Sequence, residues 1–144
     1  MPIFGRERIQ QALGDTTTLL EGLVDRTVAL MNQGSSLDEI IHTVQAPPEL
    51  LAQPYLEPLY DEPEFIVRNI WRLYGGWYDG NPANLKPAPD AAVARELATL
   101  AGGASRLAAR ARELVSAGEL RLACHMAEYA YLAAPGDGQL ASIP

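Results

Sequence analysis

Glycine and proline divide this chain into short stretches, and the apolar residues within most of them have helical rather than strand spacing. In the first long stretch, Leu20, Val24 and Met31 recur at helical intervals, and no segment alternates apolar and polar residues over the length of a strand. Glycine is typical of the end of a helix and proline of its first turn. The sequence therefore predicts an all-α fold, a compact bundle of six or seven helices.

Capping residues predict where the first two helices begin and end. Asp15 predicts the start of a long helix that runs through about Gln33, and Gly34 predicts its end. Ser36 and Glu39 have the spacing of a capping box, in which each side chain accepts a hydrogen bond from the backbone of the other residue. A short second helix is therefore predicted from Ser36 to a point before the next prolines.

The fourth predicted helix leads into the most aromatic part of the chain. Asp61 and Glu64 repeat the capping-box spacing, and the helix is predicted to run through Tyr74 and to stop at Gly75. The side chains predicted to face the core are Phe65, Ile66, Ile70 and Leu73. Because Val67, Trp71 and Tyr74 are spread around the rest of the helix, more than one of its sides is predicted to be buried.

Four further helices complete the prediction, and the last two form a hairpin. They are a short helix from Pro47–Pro48, one capped by Asp90 that ends at Gly102, and two at about Ser105–Ala117 and Glu119–Ala134. Gly118, Ala123, Ala130 and Pro135 have the small-residue spacing of a tetratricopeptide repeat. No second copy of that repeat is found upstream, so a single tetratricopeptide-like hairpin packed on the bundle is preferred.

The stretch WRLYGGWYDGNPANL, residues 71–85, is the strongest candidate for a functional surface. It holds Trp71, Tyr74, Trp77 and Tyr78, although only 7% of the chain is aromatic. Aromatic clusters of this kind are typical of surfaces that become buried against a partner. The alternative is a stiff turn packed on the bundle, with Asp79 and Asn81 bonded to nearby amides. Both interpretations remain open, and all six residues are candidates for an interface.

The GWYDGNP motif in this stretch resembles the helical dimerisation domain of alkyl sulfatases, which are hydrolases of the metallo-β-lactamase superfamily. The resemblance extends upstream to TVALMNQGSSLDEIIHTVQAPPELL, residues 27–51, and downstream to the Gly-Gly turn and helix pair of residues 101–118. It divides the chain into a lead-in (1–14), the dimerisation domain (15–135) and a flexible tail (136–144). The resemblance implies a homodimer whose parent protein also contains a hydrolase domain.

In such a parent, the resemblance implies that sulfate esters are cleaved at a dinuclear metal site, with zinc the expected metal, in a domain that these residues do not include. This chain itself holds only His42 and His125 as histidines, without metal-ligand spacing, and no nucleophile motif or phosphate loop. We therefore expect no catalytic, cofactor-binding or metal-binding residue here, and the single cysteine, Cys124, is expected to be buried. Arg68 and Arg72 could contact an anionic group such as a sulfate.

Composition excludes other classes of function. The net charge is −7, with 11 basic against 18 acidic residues, so the cationic surface that binds nucleic acid is not expected. No window is apolar enough to span a membrane. The first ten residues do not resemble a signal peptide, which favours the cytoplasm without fixing the compartment. The alternative to a dimerisation domain is a free-standing, tetratricopeptide-like scaffold that binds a protein partner.

Overall fold

All regular structure in residues 2–136, the part of the chain that the computed structural model describes, is helical. The predicted all-α fold is thus confirmed; most of the predicted flexible tail, residues 137–144, lies outside the described residues. The helices are α1 (Arg6–Asn32), α2 (Leu37–Thr43), α3 (Pro48–Leu51), α4 (Pro63–Gly75), α5 (Asp90–Ala101), α6 (Ala104–Ser116) and α7 (Leu120–Ala133), with one turn of 3-10 helix at Pro82–Leu85.

The first helix begins much earlier than the sequence predicts. Helix α1 starts at Arg6, directly after Gly5, whose φ of 91° ends the preceding extended chain. The predicted cap at Asp15 is therefore wrong, since that residue lies inside α1 and its carboxylate accepts a 2.6 Å hydrogen bond from the Tyr55 hydroxyl. Nothing in residues 6–14 breaks a helix, and Glu7 places a negative charge in the first turn, where the helix dipole favours it.

The predicted end of α1 and start of α2 are both confirmed. Gly34 has a φ of 84°, the Ser35 backbone N–H donates to the Leu30 carbonyl at 3.1 Å, and the chain leaves the helix in a Schellman turn. At α2, the Ser36 N–H donates to the Glu39 carboxylate at 2.7 Å and the Glu39 N–H donates to the Ser36 hydroxyl at 3.3 Å. These bonds fix the short connection between the two helices.

The chain divides into two units, Met1–Lys86 and Pro87–Pro144. In the first unit, α1 and α2 both pack against α4. Its core is built from large branched side chains: Leu19, Leu23, Ile40, Ile41, Val44, Val67 and Ile70, together with Ala46. This core holds α4 in place and so positions the aromatic stretch that follows it.

Helix α4 differs from its prediction at its start and on its faces. The predicted capping box at Asp61 is wrong, because Glu62 precedes the helix without a side-chain cap bond and Pro63 lies in its first turn. Val67, predicted outside the core face, is fully buried, while Phe65 and Leu73 are 48% and 74% exposed. A helix that is apolar on several sides does not reveal from its spacing which side its neighbours cover.

The second unit consists of α5, α6 and α7, which pack against one another with mainly alanine at their contacts. Asp90 is the first residue of α5 and not its cap, and the predicted hairpin of α6 and α7 turns at Gly118, whose φ is 79°. The prediction that Cys124 is buried is wrong, since its thiol is exposed. The buried residues of α7 are Ala123 and Ala130, which share one face, and Cys124 lies about 100° around the helix from Ala123.

Candidate functional site: the aromatic loop after α4

The loop begins where α4 stops, and two contacts hold that junction. The Trp71 indole N–H donates to the Tyr78 carbonyl at 2.9 Å, which ties the last turns of α4 to the loop beyond it. A Cβ on Gly75 would lie only 2.9 Å from the Met31 Cε, so glycine permits α1 to approach there. Gly76 then reverses the chain with a φ of 82°.

Beyond the junction, Asp79 organises a tight turn. Its carboxylate accepts a 2.8 Å hydrogen bond from the Asn81 backbone N–H and another from the Asn84 side-chain amide. These bonds stabilise the ionised form and lower the pKa of Asp79 from its ordinary value. Asn81 in turn accepts a 3.0 Å bond from the Ala83 N–H and caps the 3-10 turn. Hydrogen bonds therefore hold the loop from Tyr78 to Asn84.

The turn is also attached to α2. The Leu37 backbone N–H donates to the Asp79 carbonyl at 3.0 Å. Gly80 has a φ of 91°, and a Cβ there would lie 3.1 Å from the Ser36 Cβ, so the backbone of the turn passes directly over the start of α2. The capping box of Ser36 and the aromatic loop thus support each other.

The six predicted interface residues divide into two groups by exposure. Trp71, Tyr78 and Asp79 are half-buried and bonded within the first unit, as expected for a stiff turn. Trp77 and Tyr74 are 74% and 61% exposed. The Trp77 ring meets the Tyr78 ring edge-on, with centroids 6.0 Å apart. Asn81 is exposed and bonded within the turn.

A shallow groove of about 310 Å³ runs along the exposed face of α4 to Trp77. Its lining combines apolar and cationic side chains: Leu37, Phe65, Arg68, Asn69, Trp71, Arg72 and Trp77. Arg68 also lines a second hollow beside Asp79 and Asn81. Among the described residues, neither Arg68 nor Arg72 has an ion-pair partner, so both guanidinium groups face solvent. This arrangement suits an anionic ligand or an acidic surface with apolar side chains.

Sequence reasoning missed a second exposed apolar element before α4. Leu59 and Tyr60 are 83% and 94% exposed. They lie between Pro58 and Pro63 in a segment without helical spacing, so amphipathic periodicity gives no signal there. The available signal is composition: two apolar side chains in an acidic, proline-bounded segment.

His42 belongs to α2 and His125 to α7, so neither histidine is part of the aromatic loop. His42 Nδ1 lies 2.7 Å from the Asp38 carbonyl oxygen on its own helix, and the His125 ring stacks on Tyr129. Across residues 2–136, no group of three histidine, cysteine, aspartate or glutamate side chains is placed to hold a metal ion. In the same part of the chain, no helix combines the length and the apolarity that crossing a membrane requires.

Comparison with known proteins identifies what the chain is similar to. A family model described as alkyl sulfatase dimerisation matches residues 36–141. A linear primary-alkylsulfatase from Pseudomonas sp. (strain ATCC 19151) is 35% identical over 130 residues, which are 90% of this chain and 25% of that protein. An alkyl/aryl-sulfatase from Saccharomyces cerevisiae is 31% identical over 138 residues, 96% of this chain and 21% of that protein.

Solved structures give the same result for the fold. The stereoselective inverting sec-alkylsulfatase Pisa1 from Pseudomonas sp. superimposes with a TM-score of 0.87 at 29% identity, over 99% of this chain and 23% of that one. A double mutant of the sec-alkyl sulfatase PisA1 gives a TM-score of 0.85 at 30% identity, over 96% of this chain and 22% of that one. The chain therefore spans about a quarter or less of the length of each of these relatives.

Proposed function

The chain belongs to the family of alkyl sulfatase dimerisation domains, and from this premise we propose that it joins two copies of a larger hydrolase into a homodimer. The family match over residues 36–141 favours this function over a free-standing scaffold. The observation that carries the proposal is Trp77, a large side chain that is 74% exposed and yet held by a bonded loop. Rigid, exposed aromatic side chains are typical anchors of protein interfaces.

Within this proposal, the six residues have two different tasks. Trp77 and Tyr74 provide the apolar area that a second copy would cover. Trp71, Tyr78 and Asp79 hold that area in position through the bonds described above, and Asn81 fixes the following turn. A preorganised surface loses little side-chain entropy on binding, which favours association.

The rest of the parent protein is also a matter of proposal. We propose that residues 15–135 form the dimerisation domain together with residues 6–14, which continue α1 without a break, and that this domain adjoins a metallo-β-lactamase-type hydrolase domain of the same protein. Residues 1–5 and 136–144 would be flanking segments. The sulfatase names of the relatives support sulfate esters as the substrate class. The zinc ions expected for that chemistry would be held in the hydrolase domain. Arg68 and Arg72 would supply positive charge to an anionic group beside α4.

The test is the dimerisation constant of a Trp77→Ala, Tyr74→Ala double variant, measured by sedimentation. Each truncated anchor at a true interface costs ~2 kcal/mol, so the loss of both should weaken dimerisation by roughly 1,000-fold if the two effects add. Far-UV circular dichroism should stay unchanged, because both side chains are mainly exposed.

The matched control is Leu100→Ala, which removes an apolar side chain that is 84% exposed, more than either aromatic residue, from the second unit. It should leave the constant unchanged. An unchanged constant in the double variant would contradict the proposal. A loss of helix content would assign the two aromatic side chains to the core instead.

A further inference from the structure

The segment of residues 57–62 presents apolar and acidic side chains to solvent just before α4. Leu59 and Tyr60 are more exposed than Trp77. The carboxylates of Glu57, Asp61 and Glu62 flank them and are also exposed. Exposing two large apolar side chains next to each other forgoes the favourable free energy of burying them. A surface that covered this segment would recover that free energy.

The groove along α4 has the complementary properties. Arg68 and Arg72 give it positive charge, while Phe65 and Trp77 provide apolar walls. No side chain of residues 57–62 lines the groove of its own chain, as far as the structure describes them. The groove and the segment are therefore both open in a single copy.

We propose that residues 57–62 of one copy occupy the α4 groove of a second copy, and that the exchange is reciprocal. This inference rests on the proposed dimerisation function and names the surfaces that meet. Leu59 and Tyr60 pack on the apolar walls, and the neighbouring carboxylates pair with the Arg68 and Arg72 guanidinium groups. Arginine forms strong, geometrically defined hydrogen bonds with carboxylates, and such pairs set the register of an interface.

The order of the two elements along the chain makes a two-fold arrangement natural. The segment ends where α4 begins, and the groove follows α4 towards its C-terminal end at Trp77. If a two-fold axis passed perpendicular to α4 near its middle, the α4 helices of the two copies would be antiparallel. Each segment then faces the groove of the other copy, and the same contact is made twice, as in other isologous dimers.

Two charge-reversed variants of the 144-residue chain test this directly. The first, Asp61→Arg with Glu62→Arg, gives a basic segment next to a basic groove. The second, Arg68→Glu with Arg72→Glu, gives an acidic segment next to an acidic groove. Each variant alone should dimerise at least roughly tenfold more weakly than the unchanged chain, because like charges meet at both contacts.

Mixing the two variants is the decisive step. In a mixed dimer, the basic segment meets the acidic groove and the acidic segment meets the basic groove, so both contacts regain opposite charges. Sedimentation of the mixture should recover dimer at concentrations where each variant alone is monomeric. This recovery also shows that the substitutions leave the fold intact.

The controls make equal changes of charge in the second unit, at exposed positions: Glu96→Arg with Glu128→Arg, and Arg106→Glu with Arg112→Glu. They should dimerise like the unchanged chain and show no rescue on mixing. If the unchanged chain dimerises but charge reversal does not weaken its dimer, or mixing the two variants does not restore it, the proposed exchange is overturned. The proposed dimerisation function would still stand.

Two further outcomes are informative. Calorimetric binding of inorganic sulfate that depends on Arg68 and Arg72, with an unchanged dimerisation constant after charge reversal, would assign the groove to a small anion and overturn the exchange. An unchanged chain that stays monomeric at all concentrations would overturn the proposed function and this inference with it.

Discussion

The two units of the chain are both helical, but their buried side chains differ in size. In Met1–Lys86, large branched side chains such as Leu23, Ile40 and Val67 fill the space between helices. In Pro87–Pro144, alanines such as Ala108 and Ala130 occupy the corresponding buried positions. Burial of a large aliphatic side chain contributes ~1.5–3 kcal/mol, whereas alanine mainly allows helices to approach closely. The first unit therefore has the larger hydrophobic stabilisation per buried residue.

This difference coincides with the position of the proposed interface. The aromatic loop is bonded to α2 and α4 of the first unit, whose core holds both helices. A surface that remains rigid while exposed needs such support from behind. Both tryptophans, Trp71 and Trp77, also lie in the first unit, so their fluorescence reports on that unit alone, whereas far-UV circular dichroism reports on both.

The largest expected effect is that of a cavity in the first unit. Leu23→Ala should lower the free energy of unfolding by ~2–5 kcal/mol, because a fully buried leucine leaves a void that its neighbours fill only in part. Urea denaturation followed by tryptophan fluorescence measures it. The control Leu20→Ala removes the same atoms from a position on α1 that is 42% exposed and should cost clearly less. Equal losses would show that the assigned core is wrong.

Enlarging a small residue should have the next largest effect, in the second unit. Ala108→Leu inserts a large side chain at a buried contact and should cost ~1–3 kcal/mol through overpacking. The change should appear in the circular dichroism transition more than in fluorescence. Its neighbour Ala109 is exposed, so Ala109→Leu should be nearly neutral. A neutral Ala108→Leu would mean that the helices of this unit are loosely packed.

Two glycines of the first unit should respond to alanine in opposite directions. Gly80→Ala should destabilise by ~1–2 kcal/mol, because its φ of 91° disfavours a side chain and the new Cβ would approach Ser36. Gly14→Ala, inside α1 with open space around its Cβ, should stabilise by ~0.5–1 kcal/mol. Denaturation midpoints would compare the two, and a tolerated Gly80→Ala would show that the loop is not held against α2.

The smallest expected effect is a pH dependence confined to the first unit. Hydrogen bonds lower the pKa of Asp79, and those from Ser36 lower the pKa of Glu39. Each therefore contributes stability that is present above the ordinary carboxyl pKa and is lost as pH falls through the lowered value. Tryptophan fluorescence should report loosening of the loop in acid.

Asp79→Asn should reduce this pH dependence, and Glu39→Gln should reduce it independently, because each removes one titrating carboxylate. Asp25→Asn, at an exposed position on α1, is the matched control and should leave the acid response as it is. The same acid response in all three variants would contradict the assigned role of the loop bonds.

Local signals in the sequence were sufficient for much of the fold. The end of α1 at Gly34 depends on glycine geometry, and the start of α2 at Ser36 depends on a capping box. Both features are determined by residues that are close together in the sequence. The predicted starts at Asp15 and Asp61 were wrong for one reason. An acidic residue before apolar spacing is compatible with a cap, a first turn or a helix interior, and tertiary context decides among them.

The sequence predicted which residues belong to the candidate site, but not which of them are exposed and which are half-buried. The sequence identified the aromatic loop, yet the exposure of Phe65 and Leu73 and the half-burial of Tyr78 depend on where α1 and α2 pack. The exposed pair Leu59 and Tyr60 has no periodic signal at all, because the segment is neither helix nor strand. In the sequence, exposed apolar side chains cannot be told apart from apolar side chains of the core.

The most direct test of the central claim is the mass of the unchanged chain in solution, measured by light scattering over a concentration series. A homodimer through the first unit predicts a mass near twice 15.6 kDa, with dissociation on dilution. A mass that remains at 15.6 kDa up to the highest concentration would contradict dimerisation by this chain.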